Sequence, residues 1–173
     1  MTRKVFIISG PAGVGKSTTS KILAQQLVKS AHISGDTISY MPVSGYEKPW
    51  LSEQAKDLVW NNIVSLSNNF LDAGYDVIID WVAFWEDVQS YATEWIVQGI
   101  EVKYVILWAD ADIHVSRDLQ RAASIQMGER VLILRDEFLS SGAPAQYFLD
   151  NSSDNPENIF IKIVEDPQFL LFD

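Results

Sequence analysis

Gly10, Pro11, Ala12, Gly13, Val14, Gly15, Lys16 and Ser17 complete the pattern G-x-x-x-x-G-K-[ST], and Thr18 continues it. Each residue type in this run answers a demand of polyphosphate chemistry. Glycines let the backbone bend round a phosphate chain with its N–H groups turned inward. The Lys16 ammonium can reach the β- and γ-phosphates of a nucleoside triphosphate, and the Ser17 hydroxyl can hold Mg²⁺. A plain glycine turn would need neither group. The flanks agree with the pattern. Val5-Phe6-Ile7-Ile8 precedes it and is long enough for one buried strand. Ile22, Leu23 and Leu27 follow it at helical spacing, so a helix whose positive dipole end faces the anion begins near Lys16.

Moving a phosphoryl group is mostly positioning and charge neutralisation, so the remaining cations and carboxylates matter. Between Arg3 and Arg117 the chain has no arginine; Arg117, Arg121, Arg130 and Arg135 then come close together. Arg117 and Arg121 share one face of a predicted helix and can close over a triphosphate as catalytic cations. Arg130 can join them or pair with a neighbouring acid, and Arg135 reads as a salt-bridge partner. Two carboxylates stand at predicted strand ends, where ligands of open parallel sheets bind. Asp36 can orient an acceptor hydroxyl and take its proton, or it can cap the turn Thr37–Tyr40. Asp80 can hold Mg²⁺ through water, or bind the acceptor.

Between Ala31 and Glu101 acids far outnumber bases, and Lys48, Lys56 and His32 are the only basic side chains. An anionic acceptor is usually gripped by arginine forks, which this stretch lacks. Trp81 and Trp85 follow Asp80 directly. They suggest an aromatic, acidic pocket for a neutral or cationic hydroxyl compound. Trp60, Trp95 and Trp108 read as packing. So does the run Val131-Leu132-Ile133-Leu134, and His32 and His114 read as structural or exposed.

These residues need a scaffold of alternating strands and helices, which implies a parallel sheet covered on both faces. Strands are expected at Lys4–Ser9, Ala31–Ser34, Tyr75–Asp80, Val102–Trp108 and Gln146–Leu149. Helices are expected at Gly15–Ser30, from the Ser52 cap to before Gly74, at Glu86–Gln98, from Asp112, at Gly128–Leu139, and from the Asn155-Pro156 cap to Val164. At 173 residues the chain suits a single domain. With no cysteine it has neither disulfide nor thiolate metal site, which fits a reducing cytoplasm. Its net charge of −10 argues against general nucleic-acid binding, and no apolar run is long enough to cross a bilayer.

Taken together, the chain resembles small P-loop kinases of the nucleoside-monophosphate-kinase-like group, among them relatives of chloramphenicol phosphotransferase, gluconate kinase and shikimate kinase. Gly10 to Thr18 is similar to that group's ATP loop, and Arg117-Asp-Leu-Gln-Arg121 to its lid helix. Met127-Gly-Glu-Arg-Val131, running on to Arg135-Asp-Glu-Phe138, resembles the segment after the lid. Tyr147 to Ser152 resembles the final strand, whose following loop touches adenine, and this implies that Asn151 lies beside the nucleotide. The resemblance implies a three-layer α/β/α P-loop NTPase fold with a five-stranded parallel sheet in the order 2-3-1-4-5. It also implies a lid at about 112–130, ATP and Mg²⁺ as cofactors, and a small-molecule hydroxyl acceptor as partner. Two departures stand out. The arginine that adenylate kinases carry shortly after the Asp36 position is replaced by Thr37 to Tyr40. Their glycine and arginine after the third strand are replaced by Trp81 to Trp85. Both changes remove contacts to a monophosphate. A nucleoside or nucleotide kinase, and a P-loop protein that hydrolyses or senses NTP without an acceptor, are the alternative readings.

Overall fold

The computed structural model describes residues 3–120, 126, 128–152 and 155–171. Its elements follow in the order β1 (Lys4–Ser9), α1 (Lys16–Gln26), β2 (Ser30–Ser34), α2 (Gly35–Ser39), α3 (Glu53–Asp72), β3 (Asp76–Asp80), α4 (Trp85–Val97), β4 (Glu101–Trp108), α5 (Ala111–Leu119), α6 (Arg130–Ser140), β5 (Phe148–Asp150) and α7 (Pro156–Glu165). The strands form one five-stranded sheet in the order β2-β3-β1-β4-β5, and every strand pair is parallel. This is the order the resemblance implies.

Alternation along β1 sorts its side chains into two layers. Val5 and Ile7 join Ile33, Ile79 and Tyr104 in one core, closed by Trp60 and Ile63 of α3 and Trp95 of α4. Phe6 and Ile8 join Ile78, Val105 and Leu107 in the other, closed by Leu23 of α1 and Ile159 and Ile163 of α7. All four β1 residues are fully buried, as the central strand of a sheet covered on both faces must be.

The caps explain where several helices start. Ser52 Oγ accepts from the Ala55 amide at the start of α3, and Asn155 Oδ1 accepts from Asn158 with Pro156 in the first turn of α7. Lys103 lies inside β4, 3% exposed, and its ammonium donates to the carbonyls of Ile163, Val164 and Asp166 at 2.6–3.0 Å. It thereby ties the end of α7 to the sheet, where a cation suits the negative end of the helix. Burial holds its pKa below the usual lysine value.

Four expectations change. The first helix ends at Gln26, and Ser30 already belongs to β2. The last strand starts two residues late, because Ala145–Tyr147 forms a 3₁₀ turn first. The sixth helix starts at Arg130 rather than Gly128. Of the run Val131–Leu134 only Val131 and Leu134 are buried; Leu132 and Ile133 are 45% and 47% exposed, because a helix lying on a core buries one stripe.

Candidate active site

The phosphate-type loop joins β1 to α1 at the carboxyl edge of the sheet. Three of its glycines have positive φ: Gly10 (131°), Gly13 (80°) and Gly15 (103°). At Gly10 a Cβ would also lie 2.4 Å from the Leu107 carbonyl oxygen of β4, so only glycine fits there. Helix α1 begins after Gly15 with no side chain capping it. A helix N-terminus that follows a glycine loop in this way is the arrangement that receives anions. The Lys16 ammonium lies back along the loop and donates to the carbonyls of Gly10 (2.9 Å) and Pro11 (3.0 Å). Ser17 and Thr18 are exposed at the start of α1.

The crown of the loop is gripped from behind. Asn151, in the turn after β5, donates through Nδ2 to the Val14 carbonyl at 2.7 Å. Arg117 of α5 donates through Nη1 to the same carbonyl (3.2 Å) and to Asn151 Oδ1 (3.0 Å), and through Nη2 to the Asn151 carbonyl (3.1 Å). One guanidinium and one amide therefore set the shape of the loop. Asp118, 2% exposed on the same helix, accepts from the Gly128 amide at 2.9 Å.

His114, fully buried on α5, has its Nδ1 2.7 Å from Arg135 Nη1. The same Arg135 group bonds to the Ala109 carbonyl, and its guanidinium sits 4.4 Å over the Trp108 ring. Burial, then the charges of Arg135, Arg117 and Lys16, lower the His114 pKa from 6.5 to about 4. The ring is therefore neutral near pH 7, with Nδ1 accepting from Arg135. Arg135 is structural, as expected, though its partners are a carbonyl, a ring nitrogen and an indole rather than an acid. Arg130 pairs with Glu137 (2.9 and 3.3 Å). Arg121 lies outside the described residues.

A cleft of about 400 Å³ opens beside the loop, and Ser17, Lys21, His32, Thr37, Met41 and Asp80 are among its walls. Asp80 ends β3 opposite Ser34 of β2 and Ile8 of β1, and is only 5% exposed. His32 Nε2 lies 3.7 Å from Asp80 Oδ2 and has no hydrogen-bond partner, although it is buried. A buried carboxylate normally has a hydrogen-bond donor or a cation at hand. Asp80 and the Ser17 hydroxyl on one cleft wall therefore fit a magnesium ion, which keeps waters and nucleotide oxygens as its other ligands. Among the described residues there is no all-protein cluster of three or more His, Cys, Asp or Glu.

The other expected acceptor residues lie apart. Asp36 is exposed in the first turn of α2; the cap of that helix is Ser34, whose Oγ accepts from the Thr37 amide at 3.3 Å. Trp81 is 8% exposed, with its ring against Gly35, where a Cβ would come within 2.4 Å of it. Trp85 opens α4 and stacks on Tyr147 (5.2 Å) and Tyr104 (6.0 Å). Neither tryptophan lines the cleft.

Lys21 and His32 were missed as site residues. The signal for each was periodic: Lys21 is one helical turn after Ser17, and His32 shares a strand face with Ser34. The stretch Ala31–Glu101 has no arginine, but α1, which lies outside it, brings Lys21 to the cleft.

A family model described as an AAA domain, AAA_33, matches residues 5–133. No curated protein matches the chain. Among solved structures, APS kinase from Mycobacterium tuberculosis, in complex with AMPPNP and APS, aligns with a TM-score of 0.70 at 14% identity, over 94% of this chain and 96% of that one. A gluconokinase from Sinorhizobium meliloti aligns at 0.68 and 15% identity (94% and 90%). The tunicamycin resistance protein of Deinococcus radiodurans aligns at 0.61 and 16% identity (93% of each). At these identities the likeness is one of fold. Among the described residues, no helix is long and apolar enough to cross a membrane.

Proposed function

Since the chain belongs to the AAA_33 family and carries the P-loop kinase fold, we propose that it is an ATP-dependent phosphotransferase acting on a hydroxyl of a small neutral or cationic molecule. The observation that carries this reading is the shared wall. Ser17 of the phosphate loop and the buried Asp80 border one open cleft, so a triphosphate tail and an acceptor can meet there.

The backbone of Gly10 to Thr18 wraps the phosphates, and Lys16 exchanges its two carbonyl partners for β- and γ-phosphate oxygens. Ser17 and Asp80 would hold Mg²⁺, which neutralises charge building up on those oxygens. Arg117 keeps the loop in shape through Val14 and Asn151 and brings a positive charge to the site, and Arg121 is assigned to the same lid. Asn151 borders the nucleotide from the turn after β5. The acceptor hydroxyl attacks the γ-phosphorus in line; its O–H bond breaks as the new O–P bond forms, and the bond from the γ-phosphorus to the β,γ-bridging oxygen breaks to release ADP. Asp36 is exposed on α2 beside the cleft residue Thr37 and is not one of the cleft walls, so it takes that proton only by turning toward the cleft, whereas Asp80, inside it, can steady the hydroxyl or take the proton itself. Trp81, packed beneath Gly35, supports the floor under α2, while Trp85 stacks on Tyr104 of β4 and on Tyr147 and acts as packing there. A cysteine-free chain using ATP fits the cytoplasm.

An ADP-release screen over alcohols, aminoglycosides, sugars and nucleosides, with mass detection of the product, tests the reading. Lys16→Ala should abolish transfer and leave the circular-dichroism spectrum unchanged. Hydrolysis with no phosphorylated product from any acceptor would favour an NTP-hydrolysing protein instead, and retained transfer in Lys16→Ala would reject the site.

A further inference from the structure

We infer that the acceptor is an elongated amphiphile: its hydroxyl end enters the Ser17/Asp80 cleft and its apolar body lies in a second chamber, between α2, the 40–51 segment and α3. This rests on the kinase reading above and adds the class of acceptor to it.

The chamber holds about 410 Å³, as much as the cleft beside the phosphate loop. Its walls are chiefly Ile38, Met41, Pro42, Pro49, Leu58 and Val59. Ile38 and Met41 also line the cleft, so the two spaces share a partition, and a ligand that spans both would cross it at the exposed Met41 rather than at the buried Ile38. Their chemistry differs. The cleft offers a hydroxyl, an ammonium, an imidazole and a carboxylate from Ser17, Lys21, His32 and Asp80. The chamber has one formal charge among its described lining residues, that of Glu47. A phosphate or carboxylate would find no cation among those lining residues and would be repelled by the solvent-exposed Glu47. An uncharged chain or ring, or one with a cationic tip, would not.

The mouth is apolar as well. Of the chamber's lining residues, Met41 is 63% and Leu58 54% exposed. Single exposed apolar side chains are ordinary, but a group of them round a concave, largely uncharged space is the pattern of a site for apolar matter. A short polyol would fill only the polar cleft and leave this surface wet. A molecule reaching across Ile38 and Met41 gains from each methylene it buries.

A homologous series of 1,2-alkanediols, from propanediol to octanediol, tests this. Affinity is read by ligand-detected NMR. Affinity should rise roughly fourfold per added methylene until the chamber is full, then level off. Leu58→Glu puts a charge into the wall at a half-exposed helix position and should flatten the series. Met41→Glu, on the exposed loop, repeats the block at the partition should the first variant melt early. Val97→Glu, at an exposed position on α4, is the same chemical change away from the chamber and should keep the wild-type slope. A series that is flat in the wild type, or that climbs equally in Leu58→Glu and Met41→Glu, overturns the chamber. MgATP binding and phosphorylated diol are measured in parallel on the wild type. If MgATP binds but the series is flat, the chamber inference falls and the kinase reading stands. If the series climbs but MgATP does not bind, the chamber stands as a binding site and the kinase reading falls.

Discussion

His114 should make this protein acid-labile in a pH range where most of its carboxylates are still charged. The ring is fully buried, bonded to Arg135 through Nδ1, and surrounded by the charges of Arg135, Arg117 and Lys16. Its pKa falls from 6.5 to about 4 on folding. The unfolded chain therefore binds a proton below about pH 6.5 that the folded chain refuses, and stability must fall as pH falls. Near pH 7 neither state holds that proton and the penalty is close to zero. At pH 5 the difference amounts to about 2 kcal/mol, and below pH 4 it levels off at about 3 kcal/mol. Urea unfolding followed by tryptophan fluorescence at pH 7.5, 6 and 5 reads this directly. His114→Gln keeps an acceptor for Arg135 and cannot titrate. It should be less stable at pH 7.5 but show a pH slope smaller by about 2 kcal/mol over that range. Parallel curves for the two proteins would refute the argument, as would an NMR titration placing the His114 midpoint near 6.5.

Two further outcomes follow from packing. Gly35→Ala drives a methyl to within 2.4 Å of the Trp81 ring, which has no flexible end to yield; urea denaturation should show a loss of about 1–3 kcal/mol. Lys103→Met removes one ammonium from three carbonyls at the end of α7 and should cost on the order of 3 kcal/mol, with hydrogen exchange of α7 amides rising more than that of α3.

The phosphate loop could be read from the sequence because its residues are contiguous and each glycine answers a backbone need that no other residue meets. β1 was legible for a similar reason: four consecutive apolar residues between polar ends can only be a buried strand or a short piece of core helix, and Gly10 stops the helix. Ser52 and Asn155-Pro156 announced their helices through local hydrogen bonds that involve no distant partner. The acceptor side was harder. Lys21, His32 and Asp80 come from a helix and two strands, and only parallel pairing of β2 with β3, under α1, brings them together. Trp81 and Trp85 looked like pocket walls because they follow a strand-end aspartate. Gly35 and the Tyr104–Tyr147 pair turn them into packing, and neither partner is near them in sequence. The second chamber had no linear signature, since its walls are ordinary apolar residues of α2, a loop and α3.

The Val14 carbonyl accepts from a side chain 137 residues further along. During synthesis the phosphate loop leaves the ribosome well before the groups that hold its crown, Arg117 and Asn151, which follow Val14 by 103 and 137 residues. A chain that stops short of β5 would display the complete motif without the grip of Asn151 on it. Nucleotide affinity should therefore arrive late, as a step, when the last strand docks. On the kinase reading, copies clipped before β5 would bind nucleotide weakly.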